Sequence, residues 1–351
     1  MKGMTFDDYE HASKGSVYNL NYMNTYIQGK SYFSEHSYGI GYFYTRIWGS
    51  SVGVAPRSLY AGIGDDRYGQ LVYGFMYGAL SWGEYGNVGL NWDCRSATSI
   101  IPQPFQKRTK NTIGYNFNQG NFYLKSTFSL SDGNYHESEL KIGSNNSGYK
   151  GADQVFLSYA LDNTGVTIGG GGGFAQIKTP EGNYGTAWMT EADLKYSNSN
   201  WFFGQTFMLG KSITSGISGI DQTGQYVFGK ATNQADPMIP DPNPIKWGTS
   251  LARFAASITG IKYTSGQHQI GLEYDYGQFY DYENSENLKI DSTKKLNLTG
   301  SNDAINQVLL TYNHVWNKHM SAGVEYIYDL ISKKSSYHQG NGLYAQVQYT
   351  W

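Results

Sequence analysis

The chain ends Leu343-Tyr344-Ala345-Gln346-Val347-Gln348-Tyr349-Thr350-Trp351, and its apolar and polar residues alternate almost without error. Leu343, Ala345, Val347, Tyr349 and Trp351 share one parity, and Tyr344, Gln346, Gln348 and Thr350 the other. A period of two is the mark of a β-strand with two unlike faces. The preceding segment repeats it: Met320, Ala322, Val324, Tyr326, Tyr328 and Leu330 alternate with Ser321, Gly323, Glu325, Ile327 and Asp329. Between Gly266 and Gly277, Ile270, Leu272, Tyr274 and Tyr276 oppose Gln269, Gly271, Glu273 and Asp275, so carboxylates keep to one face. An ionised side chain at the lipid midplane costs up to about 2 to 4 kcal/mol, whereas one facing a water-filled lumen costs little. The polar parity therefore reads as lumen, and Glu273, Asp275, Glu325 and Asp329 as acids lining it.

These segments reach the nine to eleven residues, roughly, that a tilted strand needs to cross a bilayer, longer than is usual in soluble sheets. The same character recurs at residues 17–27, 38–48, 56–63, 68–76, 111–117, 122–130, 154–161, 166–175, 187–196, 201–210, 251–263 and 304–316. A stretch near residues 4–9 supplies a closing strand. The expected fold is all-β: one transmembrane antiparallel barrel over residues 1–351, of sixteen strands, with fourteen as the alternative even count. Short turns such as Asn118-Gln119-Gly120, Asp162 to Gly165 and Asn317-Lys318 alternate with long connections, the pattern of short periplasmic turns and long external loops. The longest fall at about 77–110, 212–250 and 279–303, and loops of this length are usually functional. The middle one carries Pro237, Pro240, Pro242 and Pro244 and cannot be continuous strand.

Composition agrees. Charged residues make up 15% of the chain, against roughly 25% in soluble proteins, while Gly (44) and Tyr (32) are abundant. No apolar run is long enough for a membrane-spanning helix, a test that a barrel escapes because only alternate residues meet lipid. A net charge of −2 without charge blocks gives no nucleic-acid footprint. The lone Cys94 rules out an internal disulfide and reads as a thiol in a loop. The start Met1-Lys2-Gly3-Met4 lacks the apolar core of a secretory signal, so a signal peptide is expected to be absent from this sequence. Trp188, Trp201, Trp247, Trp316, Tyr349 and Trp351 sit at strand ends, where amphipathic rings suit the lipid–water boundary.

Three stretches resemble the general bacterial porin family of trimeric outer-membrane diffusion channels. Arg57-Ser58-Leu59-Tyr60-Ala61-Gly62, followed by Tyr68-Gly69 and Tyr73-Gly74, is similar to the family's strands before its third loop. Asn111-Thr112-Ile113-Gly114-Tyr115 is similar to the return strand. Tyr312 to Ser321 together with Tyr349-Thr350-Trp351 resembles the last hairpins, including a terminal aromatic of the kind read in barrel assembly. The resemblance implies sixteen strands and a homotrimer in the outer membrane, among lipid and lipopolysaccharide. It also implies a third loop folded into the lumen as a constriction, with loop acids facing wall bases. Glu84 and Asp93 are the candidate acids; Arg57, Lys107, Arg108, Arg46 and Lys125 are the candidate bases. The family's Pro-Glu-Phe-Gly-Gly tip is replaced by Leu90-Asn91-Trp92-Asp93-Cys94-Arg95, so both acids stand.

Other signals add no chemistry. The run Gly169 to Gly173 lacks the Lys-Ser/Thr of a phosphate loop, and instead offers a smooth strand against which the folded-in loop or a neighbouring subunit can pack. The histidines at 11, 36, 136, 268, 314, 319 and 338 show no metal-ligand spacing. Glu191 with Asp193, Glu273 with Asp275, and Glu325 with Asp329 read as lumen lining rather than acid and base pairs. No nucleophile elbow occurs. The expectation is a cofactor-free pore for small hydrophilic solutes and ions, not an enzyme. Alternatives are a sugar-selective porin, if aromatic residues track through the lumen, a barrel hydrolase, or an adhesin or receptor acting through external loops.

Overall fold

The computed structural model describes residues 2–6, 21–48, 53–80, 105, 108–130, 149–178, 184–213, 217–220, 226–228, 251–282, 303–330 and 341–350. Among the described residues every regular element is a strand. In chain order they are β1 (Lys2–Phe6), β2 (Asn21–Tyr32), β3 (Ser37–Trp48), β4 (Gly53–Asp65), β5 (Gly69–Tyr77), β6 (Arg108–Gln119), β7 (Phe122–Leu130), β8 (Tyr149–Ala160) and β9 (Val166–Lys178). They continue as β10 (Tyr184–Ser197), β11 (Trp201–Ile213), β12 (Ile217–Ile220), β13 (Tyr226–Phe228), β14 (Leu251–Ser265), β15 (His268–Tyr282), β16 (Asp303–Asn317), β17 (Met320–Asp329) and β18 (Gly342–Tyr349).

Sixteen of these form one sheet in which each strand pairs with the next in the chain, β11 pairing with β14 across the small β12–β13 hairpin. Every ladder among the described residues is antiparallel, and β1 lies alongside β18, so the sheet curls until its first strand meets its last. Closure removes the sheet edges, which is what lets a β-structure sit in hydrocarbon without unpaired backbone groups. All fifteen segments expected from alternation correspond to strands. The closing strand is described over Lys2–Phe6, with residues 7–9 of the expected 4–9 stretch outside the described residues, and most strands run further than alternation alone traces.

One end of the barrel carries the tight connections 33–36, 66–68, 120–121, 161–165, 198–200, 266–267 and 318–319. Gly120 and Gly266 stand there at positive φ, 60° and 56°, the backbone a two-residue hairpin loop requires. Asn317 Oδ1 accepts hydrogen bonds from the backbone N–H groups of His319 and Met320 and so fixes the last tight turn. At the other end, residues 78–107 form the third connection in chain order.

The outer face is apolar and exposed, and the inner face buries carboxylates together with apolar residues such as Phe254, Met208 and Ile258. Leu272 is 49% exposed, Ile27 62% and Val347 42%, while Glu273, Asp275 and Glu325 are 1%, 0% and 3% exposed. Near the tight-turn end, Trp201, Tyr263, Tyr312, Trp316 and Tyr349 are exposed on the outer face, with Trp201 and Tyr263 in ring contact at 4.7 Å. That places Tyr349 in an aromatic belt; Trp351 and Trp247 lie outside the described residues.

Candidate functional site

Strand parity assembles the inner wall. Glu191 and Asp193 on β10, Glu273 and Asp275 on β15, and Glu325 and Asp329 on β17 occupy inward positions. Asp193 Oδ1 accepts from Thr206 Oγ1 at 2.6 Å, and Asp275 Oδ2 from Gln307 Nε2 at 3.2 Å, each across a directly paired position of the ladder. These acids point away from lipid, but most are buried within the interior rather than washed by open water. Hydrogen bonding lowers the cost of burying them.

The third connection enters this interior. Backbone N–H groups of Ala79 and Leu80 donate to Thr127 Oγ1 on β7 at 3.0 Å and to Gln154 Oε1 on β8 at 3.2 Å. Leu80 is wholly buried, and a Cβ added to Gly171 on β9 would meet its Cδ2 at 2.8 Å. The chain leaving β5 therefore turns across the inner faces of β7, β8 and β9, and the glycine run gives it room. Gly78 to Leu80 show the path of entry; Glu84, Asp93, Cys94 and Lys107 lie outside the described residues. At the return, the hydroxyls of Thr109, Thr112 and Ser129 lie within 2.7–3.0 Å of one another, all buried. They hold an irregular start to β6, where Asn111 adopts φ 50°.

The wall bases separate into two places. Arg46 on β3 is buried, its Nε donating to Asn24 Oδ1 at 3.0 Å, and Tyr44 Oη donates to the same oxygen at 3.1 Å. Arg57 lies next to it on β4, at a β-bulge where Tyr44 pairs with Ser58 and Thr45 with Pro56, leaving Arg57 as the extra residue. Bulges re-aim side chains in this way. Lys125 lies on β7, in the half of the barrel nearer the tight turns and aligned with Asn116 and Phe156. Arg108 opens β6 opposite Tyr77.

No family model matches the chain, and no curated relative matches it. Solved structures do. OmpF of Salmonella typhi, in complex with daunomycin, superposes with a TM-score of 0.67 at 14% identity, over 99% of this chain and 95% of that one. An anion-selective porin from Comamonas acidovorans gives 0.59 at 11% identity, over 100% and 97%. A trimer form of OmpT, an outer membrane protein of Vibrio cholerae, gives 0.57 at 11%, over 95% and 98%. The chain has a porin fold.

One feature of the inner wall of this porin fold is not among the residues singled out from sequence. Tyr26 and Tyr44 stack with centroids 4.4 Å apart and planes 17° apart, and Tyr42 and Tyr60 stack at 4.9 Å and 20°. Tyr26 and Tyr42 approach to 6.4 Å, which links the two pairs into one run across β4, β3 and β2. The signal was present in parity: Tyr26 alternates in step with Asn24, Gln28 and Lys30, and Tyr42 and Tyr44 with Arg46. Reading every tyrosine as belt or core hides those on the polar face.

Proposed function

We propose that this chain is an outer-membrane porin, a water-filled channel through which small hydrophilic solutes and ions diffuse passively. The carrying observation is the inversion of faces around a closed sixteen-stranded sheet. Exposed apolar side chains cover the outer face, where only hydrocarbon would favour them, and the buried carboxylates stay on the inner wall, which they share with apolar residues such as Phe254, Ile258 and Met208. The working unit is a homotrimer among membrane lipid and lipopolysaccharide, as the porin fold and the trimer form of OmpT suggest. The third loop is the constriction, with Glu84 and Asp93 as its acids and Arg46, Arg57, Lys107 and Arg108 as the facing bases; Lys125 contributes charge nearer the tight-turn mouth. Opposed charges in a narrow, low-dielectric channel orient polar solutes and disfavour apolar ones. No step of covalent chemistry is involved.

The test is single-channel conductance of refolded protein in a planar bilayer, with Arg57→Ala and Asp93→Asn alongside. The expected result is stepwise current in groups of three, with reversal potentials in a salt gradient shifting in opposite directions for the two variants. Protein that inserts and carries no current contradicts the proposal.

A further inference from the structure

Resting on the pore reading, we infer that the run Tyr60–Tyr42–Tyr26–Tyr44 is a binding track for uncharged sugars inside the channel. The four rings line one stretch of wall, joined at 4.9, 6.4 and 4.4 Å. Tyr26 is 36% exposed, and Tyr42 and Tyr60 are half-buried, so ring surface remains open toward the interior. Tyr44 is buried behind Tyr26 and tethered through Asn24, which keeps the outer ring in place. Stacked rings lose little side-chain freedom when a ligand settles on them.

The surroundings select the ligand. A flat π face is electron-rich and takes the C–H face of a pyranose ring, whose hydrogens carry partial positive charge. An amide side chain lies beside the track and matches hydroxyl groups as both donor and acceptor. Gln28 lies on the same ladder row as Tyr42 and is exposed, while Tyr60 packs against the buried apolar group Tyr38, Ile40, Val72 and Met76, which holds its ring. An anion finds less here: Lys30 is engaged with Asp66 at 2.8 Å and lies over the Tyr38 ring at 3.6 Å, and Arg46 donates to Asn24. A cation would share the wall with both bases. A solute with apolar faces and an equatorial rim of hydroxyls fits all three features.

The experiment is current noise through wild-type channels as maltotriose is added to one side, with a polyethylene glycol of matching size as the control. The track predicts reversible blockades that saturate with maltotriose and do not saturate with the glycol. Tyr26→Leu and Tyr42→Leu weaken the half-blocking concentration at least tenfold, whereas Tyr26→Phe, which keeps the ring, leaves it within about twofold. Open wild-type channels that respond to maltotriose only as they do to the glycol overturn the track and leave the pore standing. Inserted protein with no conductance overturns the pore, and the track with it.

Discussion

Lys30 and Asp66 sit at the tight-turn rim, where their ion pair ties the end of β2 to the β4–β5 turn. Lys30 Nζ is 2.8 Å from Asp66 Oδ1, and Tyr32 Oη donates to Oδ2 at 3.0 Å. The hydrogen bond from Lys30 holds the Asp66 carboxyl below the usual carboxylate value. A depressed folded pKa stabilises the fold above the ordinary value of about 3.9 and loses that contribution as pH falls through the folded value. Asp66→Asn is therefore expected to lower the thermal unfolding midpoint at neutral pH, and the gap from wild type should close in acid. Midpoints that differ equally at every pH would show that the pair does not act through charge. The pair is well exposed, so high salt should also narrow the gap. At this scale sequence is a partial guide. The outward positions of Leu272 and Val347 follow from parity, but the position of Arg57 does not, because the bulge at Pro56 and Arg57 breaks the alternation there.

Among the elements, the third connection is distinguished by how it is held. Two backbone N–H groups reach side chains on β7 and β8, and Leu80 fills a space that exists because Gly171 has no side chain. Truncating a buried leucine costs about 2 to 5 kcal/mol, much of it here charged to the loop's docking rather than to the barrel ladders. Leu80→Ala should therefore raise open-channel noise and mean conductance while the folded barrel persists in detergent. Wild-type noise and conductance in Leu80→Ala would mean that the loop is held elsewhere. Glycines 169–173 were legible as a smooth surface, but only the structure shows that the loop is one thing it receives. Strand existence was legible and strand ends were not. β9 runs to Lys178 and β15 to Tyr282, past the stretches that alternation traces. The hairpin β12–β13 was missed because three or four residues are too few to show a period.

For the whole molecule, the governing constraint is a rule about parity and not about particular residues. A barrel needs apolar groups outward and polar groups inward, and many sequences satisfy that, which explains a shared fold at very low identity. The fold was therefore readable from alternation, while the candidate site was readable only in part. Parity places Glu273, Asp275 and Glu325 on the inner wall, yet it carries no information about how deeply they are covered. It also assigns a tyrosine to belt or track only when its neighbours' parity is followed residue by residue, as at Tyr26 and Tyr42.

The most direct test of this account is a thiol-accessibility scan in a Cys94→Ser background, reconstituted in lipid and labelled with a membrane-impermeant reagent. Cysteines replace neighbouring residues of opposite parity: Ile27 and Gln28, Gln269 and Ile270, Val347 and Gln348. In isolation Ile27 and Ile270 are 62% and 53% exposed, so the outward positions should label readily if the protein stood in water. A barrel in a bilayer predicts the opposite: labelling at Gln28→Cys, Gln269→Cys and Gln348→Cys, and protection at the other three. Ready labelling of the outward positions in lipid would contradict the assignment of faces on which the pore rests.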